Sequence, residues 1–395
     1  MIYIFIAILL LFFSFRYDIC GKTKGRDLMY YMIMVILVMT AGLRYRLGID
    51  TPNYISHFYH DIPSLGNLTY DDIGIGAKPL WVLLNSLIIT IGGRFFIVQL
   101  IQSAFVNVLL FKYIKKHTRY IFISLFFYYI CFYLNYNMVA MKAGMSIVVC
   151  LFANDYVLDR KWIKGYLLYF IGVLFHPQAI VIMLLPLFLY LKFNKWFVPI
   201  AIFLFFVGIE LQSLLGEYLV LFEEMDDNLY DKASNVVTDE RLGGQAHNLN
   251  YLIMNVFSYM FYTIVSFMFV KRHDCESNLL KFEPFLVLYV CFYIIAINFN
   301  IAYRFCMYYG IYLVFFMSQL LMLFAKSRLL SSRVALMRSV LIVLPLVLLV
   351  LYSRMKGMIY FYPYSSVIEK RIDHTREVER HAIHPYGPSA SKKEY

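Results

Sequence analysis

Charge is what this sequence has least of. Asp, Glu, Lys and Arg make up 15% of its 395 residues, against about 25% in soluble domains. A chain this long with so few charges cannot keep its surface wet, which excludes a soluble enzyme. The six cysteines form no Cys-x-x-Cys or Cys-x-x-His pair, so the spacing of a zinc site or a disulfide framework is missing. Met1 to Phe15 has neither a basic start nor a small-residue cleavage site. It is expected to be a retained span rather than a signal peptide. No repeat of fixed period is present, which excludes solenoids and propellers.

What remains is apolar. Hydrophobic residues reach 61%, above the roughly 45–50% of globular proteins. They fall in runs at 1–15, 28–43, 80–92, 95–111, 120–134, 138–158, 164–176, 178–191, 197–215, 251–270, 284–299, 305–325 and 335–352. A bilayer crossing takes about 20 such residues, so the expected fold is all-α and polytopic. We expect one transmembrane domain over 1–352, with about twelve crossings and a half-helix. The polar stretches 44–79 and 216–250 are long outer loops in this reading. Residues 353–395 form a polar tail whose end is expected to be disordered.

The net charge of +11 is then a matter of membrane sidedness, not of nucleic-acid binding. Lys and Arg favour cytoplasmic loops. The basic loops near residues 16–26, 112–119, 160–164, 192–195, 271–281 and 326–338 all reach one side under two conditions. The run 80–92 must dip in and return, and 164–191 must turn as a hairpin at His176-Pro177. Arg44, Arg46, Asp50, Tyr54, Lys142, His176 and Arg304 then share the outer face.

Ionisable residues at membrane depth are costly and tend to be functional. Cations converging at one level suit an anionic lipid pyrophosphate, because Arg forks grip phosphate oxygens and Lys supplies a point charge. Each residue also has a plainer reading. Arg44, Arg46 and Lys142 can snorkel to headgroups, and Asp50 before Thr51-Pro52 can cap a short helix. His176 can satisfy backbone groups freed by Pro177, and Arg304 can be an interfacial anchor. Tyr54, Tyr133, Tyr136 and Tyr303 can stack on sugars or join the interfacial aromatic belt.

Residue order separates these readings. Arg44-Tyr45-Arg46-Leu47-Gly48-Ile49-Asp50-Thr51-Pro52-Asn53-Tyr54, followed by Phe58, resembles the R-x-G-x-D-x-x-x-Y-x-x-x-F signature of the EpsG family. That family is a branch of the Wzy-like bacterial polysaccharide polymerases. Lys78-Pro79 through Asn85 is similar to its E-P-x-x-x-x-L-N segment, with Lys in place of Glu. Lys142-Ala143-Gly144-Met145-Ser146 stands where R-Q-x-x-A is common, and Phe175-His176-Pro177-Gln178-Ala179 resembles F-H-x-S-A. Arg304 and Tyr362-Pro363-Tyr364 follow in order.

The resemblance implies a membrane glycosyltransferase with a GT-C-like fold, in the bacterial cytoplasmic membrane with its active site facing outward. It would join undecaprenyl-pyrophosphate-linked oligosaccharides into capsule, O-antigen or exopolysaccharide. Its partners would be those lipid-linked sugars, membrane lipids and the export and chain-length proteins of polysaccharide synthesis. Asp50, His176 and Arg304 are the expected catalytic residues, and Arg44, Arg46, Tyr54 and Lys142 the expected pyrophosphate and sugar ligands. No carboxylate cluster sits on an apolar run, so no metal or other cofactor is expected. An O-antigen-ligase-like or other outer-face transferase, and a flippase of the same lipids, are the competing readings.

Sidedness is directly testable with a membrane-impermeant thiol reagent on single cysteines in a cysteine-free background. Asp50→Cys and Val236→Cys are expected to label from outside, and Lys116→Cys and Arg272→Cys only after lysis. The reverse pattern would invert the topology and remove the outer-face site.

Overall fold

A computed structural model describes residues 2–74, 78–217, 260, 262–274, 277–325 and 360–377. The loop beyond residue 217, the 335–352 run, the basic cluster from Lys326 to Arg338 and the end of the tail lie outside the described residues. The structure is 79% helical and has no strand among the described residues, which establishes the all-α class. The chain divides into two units, Met1–Met183 with Arg354–Tyr395, and Leu184–Ser353.

The first unit contains α1 (Ile2–Phe13, continued by a π-helical turn to Ile19), α2 (Arg26–Gly42), the short α3 (Thr51–Ser56) and α4 (Pro79–Thr90). Then come α5 (Phe95–His117), α6 (Ile121–Tyr128, prolonged by π-helical turns to Val139), α7 (Met141–Leu158) and α8 (Trp162–Phe175). A 3₁₀ run, Pro177–Phe188, follows. Pro177 and Pro186 lack the N–H groups an α-helix would use there, so the 178–191 run winds tighter than the expected helical arm.

Among the described residues, Ile2–Ile19, Phe95–His117, Met141–Leu158 and Asn278–Asn298 are long and apolar enough to cross a bilayer. These helices and their neighbours turn large apolar side chains outward: Phe5 is 62% exposed and Ile163 80%. Such faces are untenable in water and ordinary in lipid. The chain is a membrane protein.

Contacts at the helix ends fix the course of the first unit. At one end, Tyr3 donates to Met138 Sδ at 3.9 Å, and Gly48 N–H donates to Tyr360 O at 3.0 Å. At the other end, Asp18 Oδ2 accepts the N–H groups of Phe122 and Ile123 at 2.8 and 2.9 Å, capping α6. There Arg26 donates to Arg119 O at 2.6 Å, Lys115 pairs with Asp27 at 2.8 Å, and Lys116 pairs with Asp155 at 2.6 Å. So α1, α2, α5, α6, α7 and α8 each run from one end to the other. With 12 residues, α4 is too short to do so. Ser86 Oγ donates to Pro63 O at 2.7 Å and Thr90 Oγ1 accepts from Leu65 N–H at 2.9 Å. These bonds tether α4 to the loop after α3.

The 44–79 stretch is structured at its start. Gly48 has φ +105°, and a Cβ there would lie 2.5 Å from Met138 O and 2.8 Å from Thr51 Oγ1. A Cβ on Gly144 would run into Tyr136 O, so that glycine lets the start of α7 press against the segment before it. The tail returns to this place. Val367 N–H donates to Leu43 O at 2.9 Å and Tyr45 N–H to Ser365 O at 2.8 Å, around an antiparallel bridge between Arg44 and Ser366. Tyr364 donates to Thr40 O at 3.1 Å, and Arg376, 1% exposed, donates to Pro363 O at 2.7 Å. Burial pulls the Arg376 pKa below the ordinary arginine range, and the nearby Asp373 and Glu377 carboxylates partly offset this.

The second unit holds α9 (Phe197–Glu217), α10 (Tyr262–His273), α11 (Glu283–Asn298), α12 (Tyr303–Cys306) and α13 (Gly310–Ala325). Asn298 of α11 donates to Phe205 O of α9 at 3.2 Å. Phe267 of α10 meets Phe316 of α13 at 5.8 Å between ring centroids, and Phe285 of α11 meets Tyr312 of α13 at 4.4 Å.

Gly48→Ala is expected to destabilise the fold by about 1–3 kcal/mol, through both the positive φ and the blocked approach to Met138 O. A thermal melt in detergent checks this, and an unchanged midpoint would refute the close approach.

Candidate functional site

The end of the first unit that carries Gly48 also gathers most of the residues singled out from sequence. Lys142 sits in the first turn of α7, half-buried, with its Nζ 5.1 Å from the Tyr54 ring centroid and 5.5 Å from that of Trp81. The two rings lie 5.6 Å apart, inclined at 56°. Tyr54 is fixed by donating to Val139 O at 3.3 Å. Burial, then the charges of Lys78 and Asp50, are what act on the Lys142 ammonium. Asp50 holds the position before α3 and Pro52 lies in its first turn, so the expected cap placement is present. Its side chain makes no capping bond to α3.

The packing of α7 on α8 sets the level of His176. Ser146 Oγ donates to Gly172 O at 2.8 Å. Moving four residues along each antiparallel helix from that pair brings Lys142 level with His176. His176 is extended (φ −152°, ψ 111°), and its N–H donates to Gly172 O at 2.9 Å, closing α8.

The two arginines of the signature occupy different surroundings. Arg44 has no exposure. Its Nε donates to Leu47 O at 3.1 Å, one Nη to Ala41 O, and the other to Met141 Sδ at 3.1 Å. It joins the end of α2, the following loop and the start of α7. Arg46, with φ +50° and 8% exposure, pairs through Nη2 with Glu377 Oε2 at 3.0 Å. Arg304 is exposed on α12 in the second unit, flanked by Tyr303, whose ring meets Tyr293 edge-on at 6.3 Å.

Two aromatic expectations change. Tyr133 and Tyr136 have no exposure, and Tyr133 donates to Leu37 O at 2.6 Å. They are core, their rings packed among Tyr128, Tyr129 and Phe132. Trp81, which the sequence offered only as a position within a motif, instead stands under Lys142. Nothing in the sequence pointed to Glu377, 331 residues from the arginine it binds.

Of three comparisons with known proteins, one gives a match. The EpsG family model matches residues 27–366. No curated protein and no solved structure matches the chain. The matched span begins in α2, takes in the signature loop, the Trp81 helix, Lys142 and His176, and ends at the tail residue that bridges Arg44. With most of its length covered, the chain belongs to the EpsG family.

Proposed function

We propose that this protein polymerises undecaprenyl-pyrophosphate-linked oligosaccharide repeat units into capsule, O-antigen or exopolysaccharide, at the outer face of the bacterial cytoplasmic membrane. The observation that carries the reading is the Lys142 ammonium over Tyr54 and Trp81, with Asp50 and Lys78 beside it. Aromatic faces suit sugar rings and a partly desolvated cation suits phosphate, and both meet at one place. In this reading the whole chain makes about twelve crossings in a GT-C-like arrangement, with α4 as its half-helix. Membrane lipids surround it, and export and chain-length proteins receive its product.

The reaction has a simple balance. The acceptor hydroxyl oxygen bonds the donor's anomeric carbon, and the anomeric C–O bond to pyrophosphate breaks. The electron pair leaves with the pyrophosphate, and the hydroxyl proton passes to Asp50 or His176. Electrostatic stabilisation of the leaving charge is the largest effect such a site supplies. In the first unit Lys142 takes that part, and Arg304 of the second unit is assigned the same part on sequence order alone. Arg46 joins them if a phosphate oxygen replaces the Glu377 carboxylate. Arg44 is assigned a positioning part, because its donors hold Ala41, Leu47 and Met141 in place.

Purified protein given a synthetic undecaprenyl-pyrophosphate oligosaccharide is expected to produce a ladder of longer lipid-linked chains. A single transfer would identify a ligase, and no covalent change a flippase. Lys142→Ala is expected to abolish the ladder while leaving the folded protein intact.

Arg304→Ala is expected to cost about 2–4 kcal/mol of transition-state stabilisation, by analogy with a lost oxyanion donor. Product chain lengths resolved on a gel would check it, and a normal distribution would remove Arg304 from the machinery.

A further inference from the structure

Three amide side chains of α4 and α5 carry buried polar atoms that no described neighbour satisfies. Asn85 of α4 is 1% exposed, and its Nδ2 donates to Trp81 O at 2.7 Å while Oδ1 has no partner. Gln99 of α5 is fully buried, and neither Oε1 nor Nε2 has a partner. Gln102, also fully buried, gives Nε2 to Tyr136 O at 3.1 Å and Met141 O at 3.4 Å, leaving Oε1 unmatched.

Asn85 and Gln102 are tied to the Lys142 site from two helices, and Gln99 is placed by its register with Asn85. Asn85 bonds the carbonyl of Trp81, whose ring lies under Lys142. Gln102 bonds the carbonyl of Met141, the residue before Lys142. Asn85 and Gln99 each stand seven residues from Gly92, at the turn between α4 and α5. In an antiparallel pair that spacing puts them at one level.

The unmatched atoms also identify the ligand's chemistry. In Asn85 and Gln102 the NH₂ group is fixed by carbonyls it donates to, so the open atom is an oxygen. A pyrophosphate esterified at both ends, which brings only acceptors at neutral pH, would be repelled by those oxygens. A sugar brings hydroxyl and N–H donors, and Gln99 can both accept from and donate to such groups. Buried amides left open in an apolar helix weaken the fold, and native structures rarely tolerate them without a functional cause.

We propose that Asn85, Gln99 and Gln102 form a subsite that reads the hydroxyl or acetamido groups of the sugar next to the pyrophosphate. This rests on the lipid-linked donor of the preceding section and adds its recognition. The subsite discriminates among sugars by hydrogen bonding, while Lys142 holds the charge that all donors share.

The test uses the full chain in detergent with two probes. One is undecaprenyl pyrophosphate alone. The other is the lipid-linked oligosaccharide extracted from source cells that lack this protein. Wild type is expected to bind the sugar-bearing lipid more tightly. Gln99→Met, which keeps the volume, is expected to reduce that preference about tenfold or more and leave the bare-lipid affinity within about twofold. Its melting temperature without lipid is expected to hold or rise by about 2–4 °C, since an unpaired buried amide is removed. Asn85→Leu is expected to shift the same preference. A fall in melting temperature for Gln99→Met, or an intact sugar preference in both variants, would overturn the subsite. If wild type binds both lipids equally, the subsite alone fails. If it binds neither, the donor reading fails and takes the subsite with it.

Discussion

A guanidinium with no solvent exposure holds together the end of the first unit that carries Gly48 and Lys142. Arg44 sits just past the C-terminal end of α2, where the helix dipole favours a cation. Its donors reach Ala41 O in the last turn of that helix, Leu47 O in the loop, and Met141 Sδ at the start of α7. Burying a charge is costly unless its donors are occupied. Here one fork binds three separate segments, so the loop cannot drift from α7 without uncovering it. Everything downstream depends on that register. Gly48 can approach Met138 O, Thr51 can begin α3, and Tyr54 can reach under Lys142 only while the loop lies where Arg44 holds it.

The tail completes the same constraint from the other side. Leu43, Tyr45 and Gly48 spend backbone groups on Val367, Ser365 and Tyr360. A loop at membrane depth has no water to satisfy its N–H and C=O groups. A returning strand-like segment is one of the few ways to pair them. The same segment delivers Glu377 to Arg46. The end of the first unit is therefore built from residues about 320 positions apart in sequence, joined by backbone pairing and one ion pair.

Much of this was legible beforehand, and the limits have physical causes. The apolar runs located α1, α2, α5, α7 and α8, with α5 running six residues beyond its run, because a stretch that must satisfy its own backbone in lipid is helical whatever its detail. The shortness of 80–92 already set α4 apart. Asp50 and Tyr54 share one motif, while Lys142 was expected beside them from the sidedness of the basic loops. Pro186 was visible, but a proline alone does not distinguish a kinked α-helix from a 3₁₀ run. Nor does an Arg reveal whether its fork faces a ligand or the backbone. Glu377, Gln99 and Gln102 were invisible for a further reason. A polar residue in a tail or an apolar run acquires meaning only from partners that are distant in sequence.

The two cations that meet at Met141 and Lys142 illustrate that last point. Arg44 and Lys142 approach the same turn of α7, one by a bond to Met141 Sδ and the other from the adjacent position. A guanidinium offers five donors in a fixed plane, which suits acceptors that never move. Backbone carbonyls and a thioether are such acceptors. An ammonium is a compact point charge on a flexible stem, and it can follow a group that arrives and departs. Held over Tyr54 and Trp81 rather than locked to a carbonyl, Lys142 keeps its donors available to an anion while the rings offset part of its desolvation. Exchanging the two residue types would leave the loop without its fork and give the site a rigid group already committed to its neighbours. The chemistry of each side chain, more than its sign of charge, determines which one stabilises the fold and which one is left for the substrate proposed above.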